Sequence, residues 1–121
     1  MEERLYLSIK HNDIEDFLSY FNDNKNRIED KWIDGSTPLI LSVIFGNIEM
    51  VEYLLENNAN IEAKDIFEYT PILWACNKGV NYIIELLLQH NADINKRNLR
   101  GLNGIDLYNK YNQNRKIDYL V

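Results

Sequence analysis

The sequence predicts an all-α repeat solenoid, a stack of helix pairs forming one domain over residues 1–121. Three observations carry that prediction. Landmark residues return with a fixed step of 33 positions, the stretches between them space their apolar residues as helices do, and the first helix of each regular unit opens on Thr-Pro, a strong helix start. The length itself suits one domain, since domains usually run about 100–200 residues.

The step is visible by eye. Thr37-Pro38-Leu39-Ile40 returns as Thr70-Pro71-Ile72-Leu73, Gly46 as Gly79, Leu54-Leu55 as Leu87-Leu88 and Ala59 as Ala92, while Ile28, Ile61 and Ile94 form a series. Four units follow: an amino-terminal cap over 1–31, regular repeats over 32–64 and 65–97, and a carboxyl-terminal cap over 98–121. In the first, Asn12-Asp13-Ile14-Glu15 stands where Gly46-Asn47-Ile48-Glu49 stands in the second, and Phe17, Tyr20 and Phe21 follow at helical spacing. In the second, Thr37 is an N-cap and Pro38 sits where a missing N–H costs nothing. That helix ends near Gly46, and Ile48, Val51, Leu54 and Leu55 predict an antiparallel second helix. The third repeats this plan through Thr70, Pro71, Gly79, Ile83, Ile84, Leu87 and Leu88. The fourth replaces Thr-Pro by Asn103-Gly104, and Ile117, Leu120 and Val121 fall in register with Ile84, Leu87 and Leu88. One helix pair cannot cover its own apolar face, so neighbours must stack.

These landmarks resemble the ankyrin repeat family, whose units of about 33 residues contain a β-turn and two antiparallel helices. Gly35, Thr37, Pro38, Leu39, Gly46, Leu54, Leu55 and Ala59 match its pattern in one unit, and Thr70, Pro71, Ala75, Gly79, Leu87, Leu88, Ala92 and Asp93 in the next. The departures are Ile40 and Leu73 for its histidine, Glu68 for a turn glycine, and Asn58 and Asn91 for the glycine after the second helix. Asparagine tolerates the left-handed conformation, so both helix ends should survive. The lost histidines remove a turn-bracing hydrogen bond.

Composition excludes several classes. The net charge of −6 lacks the basic footprint of a nucleic-acid binder. The charge is split: residues 1–68 hold 15 acids against 6 bases, and residues 69–121 hold 4 against 7, or −9 and +3. No apolar run approaches the roughly 20 residues of a membrane span, and the start leaves no room for a secretory leader. These features predict a cytoplasmic protein, of a bacterium or of a host cell. Cys76 has no second cysteine to pair with, and His11 and His90 are too few for a zinc site, so no metal or cofactor is expected. Cys76 reads as an inert core thiol, His11 as solvated and His90 as a helix-end residue. Glu49, Glu52 and Glu56 read as a solvated helix face, and no catalytic constellation emerges.

The resemblance implies a recognition strip made of the turn tips and the exposed ends of the first helices. Its members are Trp32, Ile33, Asp34, Ser36, Ile44, Phe45, Ile66, Phe67, Tyr69, Asn77, Lys78, Leu99, Arg100, Leu102, Lys110 and Tyr111, with Lys10 and His11 from the cap unit. Ten of these eighteen are large and apolar or aromatic, an excess that marks an interaction site. Trp32, Ile66 and Leu99 equally suit packing between adjacent turns. The expected function is binding of another protein, which masks or recruits it, with a neutralising role of the immunity or host-factor-blocking kind as the concrete form. The acidic amino-terminal half suits a target with a basic face. The chain is expected to be a monomer when free. The alternative is an assembly protein that uses the same strip to form a homo-oligomer.

Overall fold

The computed structural model describes residues 1–112, so the predicted register positions Ile117, Leu120 and Val121 lie outside the described residues. Seven α-helices are described: α1 Glu3–Lys10, α2 Ile14–Asp23, α3 Pro38–Ile44, α4 Ile48–Glu56, α5 Pro71–Lys78, α6 Asn81–Gln89 and α7 Gly104–Tyr111, with one 3-10 turn at Lys25–Arg27. The helices α1, α3, α5 and α7 pack one against the next as a row. Helices α2, α4 and α6 each lie against the first helix of their own unit.

The starts follow from side chains that accept otherwise unpaired amides. Thr37 accepts from the Ile40 N–H at 3.3 Å, Asp13 from Asp16 at 3.0 Å, and Asn103 forms a reciprocal capping box with Asp106. Thr70 departs from expectation: it occupies the N-cap position before Pro71, yet its buried hydroxyl has no partner. Fixed backbone and proline, not a side-chain bond, begin that helix. Asn58 and Asn91 carry φ of 64° and 66°, the left-handed ends anticipated for them, and Asn12 ends α1 in the same way at 54°. Ile40 and Leu73, in place of a histidine, are fully buried, so an apolar contact replaces the polar brace.

The core runs unbroken from Leu5 and Ile9, through Phe17, Phe21, Leu39, Met50, Leu54 and Ile72, to Ile83, Leu87 and Leu107. Each fully buried side chain of this kind contributes about 1.5–3 kcal/mol. Polar clasps join consecutive units. Glu29 accepts the Asn60 N–H at 2.7 Å, and one repeat later Glu62 accepts the Asp93 N–H at 2.9 Å. The Asn47 amide reaches back to the Ile9 carbonyl at 2.6 Å, and the Asn112 amide to that of Cys76 at 2.9 Å.

Candidate functional site

Three equivalent turns project from the first-helix row. Each is closed twice by the backbone. The Trp32 N–H donates to the Ser36 carbonyl and that of Gly35 to Trp32; Asp65 and Tyr69, then Glu68 and Asp65, repeat the pattern, as do Asn98 and Leu102, then Gly101 and Asn98. In the second turn Asp65 Oδ1 accepts the Phe67 and Tyr69 N–H groups, each at 3.0 Å, and Oδ2 accepts the Trp74 indole N–H at 2.8 Å. Asn98 does the same for Arg100 and Leu102. The turns also bond to one another, Ile66 N–H to Asp34 carbonyl at 3.0 Å and Leu99 N–H to Phe67 carbonyl at 3.1 Å. Glycine is required at Gly35, where φ is 80° and a Cβ would stand 3.0 Å from the Ile66 nitrogen.

On these closed turns the tip side chains point outward. Ile33 is 88% exposed, Ile66 58%, Phe67 56% and Leu99 63%, one row along consecutive tips. Asp34 and Arg100 flank them, Asp34 partly buried with its carboxylate accepting the Ser36 N–H and Arg100 exposed. On the helix ends, Lys10, His11, Phe45, Lys78, Lys110 and Tyr111 are exposed, while Ile44 and Asn77 are partly covered. Leu102 leans on the core.

Three placements alter the expected strip. Ser36 is fully buried, because its carbonyl closes the turn and its side chain faces inward; it has no surface to offer a partner. Trp32 lies flat on Tyr6, ring centroids 4.2 Å apart, and so packs between the cap unit and the first turn; Ile66 and Leu99 do not share that fate. Tyr69 is largely covered and stacks on Trp74 at 4.4 Å. Trp74 itself was absent from the sequence-derived strip. Its signal was available: it follows Thr70 by one helical turn on the face that Leu7 and Leu41 occupy in earlier units, and it alone there carries an N–H that a buried Asp65 could hold.

Phe67, Tyr69, Trp74, Leu99 and Arg100 together line a cleft of about 310 Å³. Glu15, Asp16, Asp23, Glu49 and Glu56 ride on α2 and α4, in the outer row, while the turns themselves carry Asp34, Asp65 and Glu68. Cys76 is 1% exposed, and burial pushes its thiol from 9.0 up to about 11, which leaves it protonated and a poor nucleophile. Among the described residues, no group of three His, Cys, Asp or Glu is placed to hold a metal ion.

A family model for ankyrin repeats, in three copies, matches residues 5–98. No curated protein matches the chain.

Proposed function

The chain belongs to the ankyrin repeat family, whose arrays generally mediate protein–protein interaction, and on that premise we propose that its turn-and-first-helix strip binds a partner protein and masks or recruits it. The observation that carries this reading is the row of exposed Ile33, Ile66, Phe67 and Leu99 on turns closed by backbone hydrogen bonds. Turns already closed by hydrogen bonds lose less conformational freedom on binding, which removes one of the costs of burying their apolar area. Masking by occupancy takes its concrete form in a neutralising protein of the immunity or host-factor-blocking kind. Such a role needs no reaction chemistry, and the family is not typically enzymatic. A cytoplasmic setting suits it; no helix among the described residues is long and apolar enough to cross a membrane.

Acids on the outer helices α2 and α4 can steer a basic target during approach, whereas the strip is where desolvation would occur. The test is affinity capture with the full chain beside Phe67→Ala/Leu99→Ala, two substitutions at side chains more than half exposed. A protein retained by the parent and lost with the variant, at unchanged melting temperature, is the expected result. Retention by both would refute the strip. Sedimentation at micromolar concentration decides the homo-oligomer alternative, which predicts a dimer that the same variant dissociates.

A further inference from the structure

We infer that the carboxyl-terminal part of the strip accepts an acidic peptide segment with one bulky apolar side chain, that side chain seated in the Phe67–Tyr69–Trp74–Leu99 cleft and its flanking carboxylates against Arg100 and Lys78. The inference rests on the protein-binding reading and adds the chemistry of the partner. A cleft of about 310 Å³ is small for a ligand pocket and fits one large side chain better than a folded surface. Its walls are two stacked aromatic rings and two exposed apolar groups, which suit an aromatic or branched aliphatic anchor.

The cations supply the second half of the argument. Five are described after residue 69. Lys96 and Arg97, which lie off the strip, have carboxylate partners in Glu62 at 3.4 Å and Asp106 at 3.5 Å. Lys78, Arg100 and Lys110, which lie on it, have no carboxylate within 4.0 Å among the described residues. Arg100 lines the cleft, and Lys78 follows Trp74 by four positions on α5, so the two side chains share a helix face. The acids beside the cleft are engaged already, Asp65 by three N–H donors and Glu68 by Lys64 at 3.1 Å. A planar guanidinium at the rim of an apolar cleft is the arrangement that takes a carboxylate through two parallel hydrogen bonds. A polynucleotide would meet the whole chain's net charge of −6.

The test pans a displayed library of random peptides against the full chain. Enriched peptides are expected to share one aromatic or large aliphatic residue closely flanked by Asp or Glu. Arg100→Glu should invert the flanking preference to Lys and Arg, and Phe67→Ala/Leu99→Ala should weaken the best peptide by about tenfold or more. Circular dichroism melting establishes that both variants remain folded. Enriched peptides with neutral or basic flanks that still depend on Phe67 and Leu99 would overturn the acidic segment and leave the binding strip standing. Peptides indifferent to both variants would overturn the strip as well. An absence of enrichment, or tighter binding of a polythymidine oligomer or of a second copy of the chain, would overturn the inference.

Discussion

Gly104 occupies the position that Pro38 and Pro71 hold in the preceding units, so a designer repairing the array toward its own pattern would write Gly104→Pro. The structure predicts that this repair fails. A Cβ at Gly104 would stand 2.5 Å from Ile94 Cγ1 and 3.0 Å from Cys76 Sγ, well inside contact distance, and Gly104 is buried. Overpacking of this sort costs roughly 1–3 kcal/mol, partly relieved if Ile94 turns away. Proline adds a second loss, because the Gly104 N–H donates to the Ile94 carbonyl at 3.0 Å, a bond worth about 1 kcal/mol. Gly104→Ala should therefore lower stability by about 1–2 kcal/mol and Gly104→Pro by about 2–4 kcal/mol. At about 4 °C per kcal/mol for a domain of this size, the melting temperature falls by about 4–8 °C and 8–16 °C. Thermal and urea unfolding followed by circular dichroism measure both. Gly46→Ala is the control, since nothing lies within 4 Å of a Cβ there and only the φ of 70° is strained. A Gly104→Pro protein that melts at or above the parent would refute the close approach of α7 to Ile94.

Asp65→Ala removes the acceptor for three N–H groups and should cost about 2–4 kcal/mol, with a changed Trp74 emission spectrum as the cleft loosens. Tyr69→Ala, which a purely exposed ring would tolerate, should cost about 2 kcal/mol because it deletes the stack on Trp74; an unchanged melt would show the ring to be free. Cys76 gives a pH dependence. Its thiol titrates near 11 folded and near 9 unfolded, so between those values the unfolded chain binds fewer protons and stability falls as pH rises. Cys76→Ala should abolish that part of the decline, read from urea midpoints at pH 8 and pH 10.5, and the parent thiol should resist iodoacetamide until the chain is unfolded.

The helices, their order and their ends were legible because each has a local cause: Thr37 and Pro38 start one helix, Asn58 and Asn91 stop two others, and apolar spacing does the rest. The equivalence of Ile33, Ile66 and Leu99 at successive tips was legible from the step of 33, but whether Ile66 and Leu99 face outward or pack between turns was not, and only the structure shows them exposed. What escaped was set by contacts across units. Ser36 looked like a surface residue because it is small and polar in a turn, but closing the turn rotates it inward. Tyr69 and Trp74 belong to one stack that no single helix pattern reveals, and Thr70 shows that an N-cap residue type does not guarantee the bond. The charge split was countable, yet its meaning depended on which acids ride on α2 and α4, away from the tips.

Glu29 and Glu62 each hold a main-chain amide belonging to the unit ahead of them. The donating group is a backbone N–H that every amino acid except proline provides, so the fastening asks nothing of the side chain it grips. A duplicated copy of residues 32–64 would bring its own carboxylate hook at Glu62 and its own eye at the Asn60 amide, whereas residues 65–97 carry Asn95 where the hook stands. Growth of such an array by gene duplication is thus built into a contact that looks, in a single copy, like an ordinary polar bond.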